Sequence, residues 1–184
     1  LRIQFNDTDE TKYLPKPNFK SEHMGIGGNI KFVFNYADKY SGKGPKNLLD
    51  GWRGPEELIS HVDYSIWQGF EEDDLIAHID LKKEMDISEI SIGFLQFLES
   101  WIFLPDYVDY EISTDGKDFV KLGRVNRTVD LKTTKLLREE YKLKFDNVKA
   151  RYLKVSAKNV GLCPNWHQGA GRPAWVFSDE ITLN

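Results

Sequence analysis

Short runs in which apolar and polar residues alternate recur along almost the whole chain. Alternation with a period of two is typical of β-strands that bury one face, whereas convincing 3.6-residue helical periodicity is scarce. The alternating runs lie at residues 29–37, 75–81, 87–96, 140–146, 150–159 and 174–183. Together with one hairpin they make about eight strands without helical crossovers, so hairpins or Greek-key returns must connect them. The pattern predicts an all-β protein, a β-sandwich or jelly roll.

The hairpin lies in the stretch VDYEISTDGKDFVKLG. Its outgoing strand alternates from Val108 to Ile112, and its return runs from Phe119 to Leu122. Asp-Gly at 115–116 is a favoured turn sequence, because such a turn needs a residue with positive φ. Residues 134–142 (TKLLREEYK) are open to interpretation as a short helix, which would be too short to change the fold class.

The composition narrows the classes of partner. Of the 184 residues, 40% are hydrophobic and 29% are charged, a balance typical of a globular protein with a buried core. The formal net charge of −4 and the lack of a basic stripe argue against nucleic acid as a partner. No run approaches the roughly 18–20 apolar residues of a spanning helix, so we expect no membrane insertion. Cys163 is the only cysteine, which excludes an intramolecular disulfide.

The first 28 residues differ from the rest. Residues 13–29 (YLPKPNFKSEHMGIGGN) contain two prolines and several glycines among few strand-like residues. We therefore interpret residues 1–28 as a lead-in strand and linker from an upstream domain, and residues 29–184 as the β-sandwich.

Two loops rich in aromatic residues form the candidate binding surface. A sugar ring presents a flat C–H face bordered by hydroxyls, so its site needs an exposed aromatic ring and a few directional polar groups. The stretches QFLESWIF and NWHQGAGR supply these groups as Gln96, Glu99, Trp101, Asn165, Trp166, His167 and Arg172. The alternative is that the tryptophans close the open ends of a small sandwich and contact no ligand.

The order of motifs along residues 29–184 resembles a known family. NLLDG (47–51) follows the first strand, WQGF (67–70) leads into LIAHIDL, and ISEISIGFLQ precedes an aromatic loop and STDGKDF. ARYLKVSAKN and DEITL complete the series. This order resembles the F5/8 type C (discoidin-like) domain, a galactose-binding-like jelly roll that includes carbohydrate-binding module family 32. The stretches SWIFLP and WHQGAG…AWVFSDEI are most similar to the C-terminal accessory domain of bacterial β-N-acetylhexosaminidases, the chitobiase-like enzymes of glycoside hydrolase family 20.

The resemblance implies a function without catalysis. It suggests a carbohydrate-binding accessory module of a secreted bacterial glycosidase, with an N-acetylhexosamine- or galactose-containing glycan and the catalytic domain of the same chain as partners. It also implies an extracytoplasmic location. The stretch LQFLESW stands where the family has an arginine-bearing loop motif, which leaves galactose preference open. Two alternatives remain: a structural domain that packs on the catalytic barrel, and an adhesion module that binds a protein or surface.

The resemblance also implies a structural Ca²⁺ between the loop after the first strand and the C-terminal strand. Asp50 and Glu180 stand at the matching positions. Ca²⁺ takes six to eight oxygen ligands, so loop carbonyls would have to complete the set. A long insertion at residues 52–67 puts those carbonyls in question. The alternative is that Asp50 caps its own turn and Glu180 pairs with a lysine or arginine.

The adjacent Asp179-Glu180 invites comparison with the catalytic pair of family 20 hexosaminidases. That pair belongs to a TIM barrel of about 250 residues, which is longer than this chain and needs alternating strands and helices. Neighbouring residues of a regular strand also point to opposite faces, so the two carboxylates should not converge on one bond. We therefore predict no catalytic residues.

Overall fold

The computed structural model describes residues 18–55 and 62–184. The strands in these ranges are β1 Phe19–Lys20, β2 Asn29–Phe32, β3 Trp52–Arg53, β4 Gln68–Glu71, β5 Leu75–Gln96, β6 Tyr107–Ser113, β7 Val120–Asn126, β8 Leu137–Ala157 and β9 Trp175–Leu183. Short 3-10 helices cover Asp38–Tyr40, Asn47–Leu49, Tyr64–Ile66 and Leu98–Ser100, and these ranges contain no α-helix. None of the helices there is long or apolar enough to cross a membrane.

Two long strands, β5 and β8, pair from Leu75 opposite Ala157 to Gln96 opposite Leu137, apart from two breaks, and run through both halves of the sandwich. Their register breaks between Asp80 and Met85 and again between Ile87 and Glu89, where the ladder bends. Beyond one side of the bend, the first part of β5 pairs with β2, while the last part of β8 pairs with β6, which pairs with β7. On the other side, β9 pairs with the second part of β5 and with β4. All these pairings are antiparallel. We call the set of strands on each side of the bend an arm: β2, β6 and β7 with the first part of β5 and the last part of β8 form one, and β4 and β9 with the second part of β5 form the other.

The hydrophobic core lies between the two arms. Leu75, Ala77 and Ile79 come from the first part of β5, and Ile92 and Phe94 from the second part; all belong to one buried cluster. Alternate residues of each arm therefore face inward, as the period-two pattern requires. The hydroxyls of two core tyrosines are also hydrogen-bonded: that of Tyr110 donates to the Tyr141 carbonyl, and that of Tyr141 donates to the Pro105 carbonyl.

The structure confirms the predicted all-β sandwich and its hairpin. β6 and β7 pair as expected around the 114–119 turn, where Gly116 has a φ of 75°. The runs 75–81 and 87–96, predicted as separate strands, are two parts of the bent β5. The helical alternative for 134–142 is wrong, because residues 137–142 belong to β8. The strand predicted over 29–37 ends at Phe32.

Residues 18–28 of the predicted lead-in lie against the sandwich, while residues 1–17 fall outside the described residues. β1 pairs with β3. The backbone amides of Ser21, Met24 and Gly27 donate to the carbonyls of Gly51, Leu183 and Leu49 at 2.7, 2.9 and 3.1 Å. This part of the lead-in is therefore hydrogen-bonded to both the 47–54 loop and the last strand.

Candidate functional site

The 159–174 loop, which carries NWHQGAGR, is held by its own backbone. Cys163 and Arg172 are joined by an amide–carbonyl bond of 2.8 Å, and the Gly171 amide returns to the Cys163 carbonyl at 2.9 Å. Further along the chain, the Ala174 amide donates to the Gly161 carbonyl at 2.8 Å. These bonds fix the loop as a compact turn, so its side chains have defined positions.

His167 fastens this loop to the neighbouring one from inside. Its Nδ1 accepts from the Gly169 amide at 3.0 Å, so Nε2 carries the ring proton and donates to the Leu98 carbonyl at 2.8 Å. Only 8% of His167 is exposed. The expected sugar contact of His167 is thus at odds with the structure, since both ring nitrogens are engaged below the surface.

Gln96 is also buried. Its amide nitrogen donates to the Thr133 and Lys135 carbonyls at 2.8 and 3.3 Å, and the residue is 1% exposed. A side chain so enclosed supports the segment that follows β7 and cannot reach a ligand at the surface. Gln96 is the second candidate whose predicted role the structure contradicts.

Trp166 is the exposed aromatic residue of the loop. It is 42% exposed, and its ring packs edge-on against Phe103 and His167, with centroids 6.4 and 5.7 Å away. Asn165 beside it is exposed as well. These edge contacts hold the indole in place while part of its surface stays open to a ligand.

Trp101 lies next to this loop in a left-handed backbone conformation, with a φ of 64°. Such a conformation costs a non-glycine residue free energy of the order of 1–3 kcal/mol and is common at binding sites. The Trp101 carbonyl accepts from the Trp175 amide at 2.9 Å. A Cβ on Gly169 would lie 2.9 Å from the indole, and the Arg172 guanidinium lies 5.4 Å from the ring centroid. Trp101 is therefore half-buried between two residues of the loop.

Five of the seven predicted residues thus remain accessible. We call Glu99, Trp101, Asn165, Trp166 and Arg172 the aromatic loop surface. Within residues 18–55 and 62–184, neither Glu99 nor Arg172 forms an ion pair. Both charged groups can therefore bond the hydroxyls of a ligand that lies on the aromatic loop surface.

The Asp179-Glu180 pair sits at a bulge of β9. Phe94 pairs with Ser178 and Ile92 with Ile181, so two residues of β9 stand opposite one residue of β5. The expectation that the carboxylates point to opposite faces is wrong here, because both contact the 50–54 segment. Asp179 accepts from the Gly54 amide at 2.9 Å, and Glu180 accepts from the Gly51 amide at 2.9 Å.

Separate partners bind the two carboxylates. Asp179 accepts from Arg138 through Nε at 2.6 Å and Nη2 at 3.2 Å. Arg138 also donates to Glu140, which bonds Arg53 in turn. Asp179 is 0% exposed and Glu180 is 1% exposed. The pair is enclosed in the protein and has no open side on which a substrate bond could lie.

His23 of the lead-in is the partner of Glu180. Nδ1 of His23 accepts from the Gly25 amide at 3.1 Å, so Nε2 carries the proton and donates to Glu180 Oε1 at 2.7 Å. Burial, and then the Arg53 charge, lowers the pKa of His23 to about 4. Burial, together with the neighbouring Asp50 and Asp179 charges, raises the pKa of Glu180 to about 9. The imidazole is therefore neutral and the carboxyl holds a proton at neutral pH.

These contacts do not fit the predicted calcium site. Glu180 Oε1 faces two N–H donors, and Oε2 alone is buried without a partner. Asp50 Oδ1 accepts from the Trp52 amide at 2.8 Å, as in the alternative that it caps its own turn. The Leu49 and Gly51 carbonyls accept from the lead-in. No group of three or more His, Cys, Asp or Glu side chains that could hold a metal occurs in the described ranges, so backbone carbonyls would have to supply most of a calcium shell.

Comparison with solved structures identifies the fold. A fucose-binding module of Streptococcus pneumoniae has a TM-score of 0.57 at 17% identity, over 98% of both chains. A family 32 carbohydrate-binding module of Clostridium perfringens, in complex with GalNAc-β-1,3-galactose, has a TM-score of 0.52 at 18% identity, over 88% of this chain and 99% of that one. A GH29 fucosidase of Ruminococcus gnavus in complex with fucose has a TM-score of 0.54 at 14% identity, over 88% of this chain but 26% of the enzyme.

The chain therefore has the galactose-binding-like jelly-roll fold of discoidin-like domains, as its sequence predicted. It spans about a quarter of the fucosidase and almost the whole of the two binding modules. No protein-family model matches the chain, and the comparison with curated proteins found no match.

Proposed function

We propose that this domain is a non-catalytic carbohydrate-binding module whose glycan lies on the aromatic loop surface. The observation that carries the proposal is the partly exposed indole of Trp166 on a hydrogen-bonded loop that also carries Arg172. The Arg172 guanidinium lies 5.4 Å from the centroid of the neighbouring Trp101 ring, and among the described residues neither it nor Glu99 forms an ion pair. An aromatic plane and directional polar groups are what a sugar ring requires. The neighbouring binding modules of the same fold, one of which carries GalNAc-β-1,3-galactose, support this class of ligand.

The parent protein is proposed on the sequence resemblance alone. The module would belong to a secreted, extracytoplasmic bacterial glycoside hydrolase, a β-N-acetylhexosaminidase of the chitobiase type, and bind N-acetylhexosamine- or galactose-containing glycans. It would hold the catalytic domain near its substrate by raising the effective concentration. Affinity for a single sugar should be weak, because a surface formed by loops encloses little of the ligand.

A glycan array tests the proposal. Wild-type protein at high density should bind immobilised N-acetylhexosamine- or galactose-terminated glycans, and Trp166→Ala should weaken binding about tenfold, or about 1.4 kcal/mol, by removing the stacking plane. Val120→Ala is the matched control, since Val120 is an exposed apolar residue elsewhere on the domain. Absence of wild-type binding to every glycan, or equal loss in both variants, would overturn the proposal.

A structural role is the second candidate, and one observation favours it. Phe19, Met24 and Ile26 of the lead-in are large apolar residues that remain exposed. Phe19 packs on Arg53, and Ile26 lies beside Gly51, so the patch adjoins the β1–β3 ribbon. If the array shows no glycan binding, this patch becomes the leading candidate for contact with a catalytic barrel.

A further inference from the structure

The turn between β6 and β7 folds over the outer face of one arm. Because Ala77 and Ile79 face the core, His78 and Asp80 of β5 point outward. The Phe119 ring meets His78 edge-on, with ring centroids 5.9 Å apart. Turn and sheet therefore enclose a pocket of about 340 Å³.

The turn also contacts β8, which closes another side of this pocket. A Cβ on Gly116 would lie 3.3 Å from three atoms of the Tyr152 ring, so the turn backbone rests on that ring. Tyr152 in turn lies 4.8 Å from the Arg151 guanidinium. The pocket thus has a wall built from defined side chains, with Phe119 as its aromatic surface.

The polar groups of this pocket divide into occupied and free ones. Asp80 accepts two bonds from Arg151 at 2.9 and 3.1 Å, which neutralise its charge. The side chains of Asn29, Lys31 and His78 make no hydrogen bond or ion pair with any part of the chain that the structure describes. Lys31 is therefore the one uncompensated charge on the lining, and it is positive.

We propose that this pocket is a second ligand site, which takes one acidic sugar residue such as a uronic acid. The carboxylate would pair with the Lys31 ammonium, and the C–H face of the ring would lie on Phe119. Asn29 and His78 would bond the hydroxyls. The volume is at the lower end of small-ligand pockets, which suits a single ring. A simple inorganic anion would leave the aromatic wall unused.

This site is independent of the aromatic loop surface. It is formed by β2, β5, β8 and the 114–119 turn, whereas the loop surface comes from residues 99–101 and 165–172, and no residue lines both. Failure of one proposal therefore leaves the other intact, and one set of variants separates them.

Titration followed by ¹H–¹⁵N NMR tests the second site. Sodium glucuronate should cause saturable shifts in residues 29–31, 78–80 and 116–119, and glucose should bind about tenfold more weakly because it lacks the charge. Lys31→Met and Phe119→Ala should each weaken glucuronate binding about tenfold, a free-energy loss of ~1.4 kcal/mol. Lys31 is exposed, so its replacement should leave the spectrum of the fold unchanged.

Two controls make the outcome decisive. Trp166→Ala should leave glucuronate affinity unchanged, and sodium acetate, which has the carboxylate without the ring, should bind far more weakly than glucuronate. The proposal is overturned if acetate and glucuronate bind equally, if the shifts follow Trp166, or if no saturable shift occurs in these residues.

Discussion

The variant Arg138→Met tests the buried ion pair between β8 and β9. The guanidinium binds Asp179 through two atoms and also reaches Glu140 Oε2 at 2.9 Å. Without Arg138, the fully enclosed Asp179 keeps its bonds from the backbone amides of Gly54 at 2.9 Å and Glu180 at 2.7 Å. The Asp179 carboxylate is then stabilised by two backbone amide dipoles but by no cation.

The magnitude follows from that partial compensation. Removing one partner of a buried ion pair costs about 3–5 kcal/mol, because the remaining charge is uncompensated. Since two amides still bind Asp179, we expect the lower end of the range, about 3 kcal/mol. For a domain of this size that corresponds to a fall in Tm of about 6–12 °C.

Urea denaturation, monitored by tryptophan fluorescence, measures this loss as a shift of the midpoint at constant slope. Lys142→Met is the matched control, because it also removes a cation from β8. The Lys142 side chain is 47% exposed and pairs with Glu89. We expect it to cost no more than about 1 kcal/mol. In the double variant Arg138→Met/Asp179→Asn, the loss should fall short of the sum of the single losses by at least about 1 kcal/mol. Equal costs in Arg138→Met and the control, or strict additivity, would refute the reasoning.

Three further outcomes are expected. Gly169→Ala places a methyl group 2.9 Å from the Trp101 indole, so it should lower the free energy of unfolding by about 1–3 kcal/mol in the same urea assay; an unchanged midpoint would contradict the packing. Excess EDTA or Ca²⁺ should leave Tm unchanged in calorimetry, because an ion stabilises a folded state only by binding to it; a rise in Tm with Ca²⁺ would instead support the calcium site predicted at Asp50 and Glu180. Stability should fall as pH rises from about 6.5 to about 9, because folded Glu180 keeps a proton that the unfolded chain releases above 4.5. Below 6.5 the opposite slope from His23 offsets this loss, and Glu180→Gln should abolish the fall above 6.5; a fall of the same size in that variant would contradict the assignment.

The fold was predictable because strand alternation is local information. Residues 75–81 and 150–157 show which side chains face the core before any pairing is known, and the Asp-Gly turn at 115–116 marks a hairpin by backbone preference alone. The bend in β5 was not predictable in this way, because it depends on a strand that is distant in the sequence. β5 continues past the break between Asp80 and Met85 because its pairing with β8 resumes at Met85, and that partner lies more than 60 residues away in the sequence.

The candidate site was predictable in composition but not in orientation. His167 and Trp166 are neighbours in the sequence, and both side chains are of types that commonly contact sugars. Yet His167 turns inward to the Leu98 carbonyl, whereas Trp166 stays exposed. That difference comes from how the loop folds back on the Leu98–Ser100 turn. The bulge at Asp179 was hidden for a similar reason, since Gly93 stands opposite it, where a Cβ would collide with Arg138 Nη2.

The position of β9 has a consequence for how the protein is made. It is the last described strand to leave the ribosome, yet it lies between β4 and β5 in its arm. Until it emerges, β4 lacks that neighbour and the second part of β5 exposes an unpaired edge, a state prone to association with other chains. The His23–Glu180 bond, which joins residues 157 positions apart, also waits for that strand. Closure of this arm should therefore wait until every other described strand has left the ribosome.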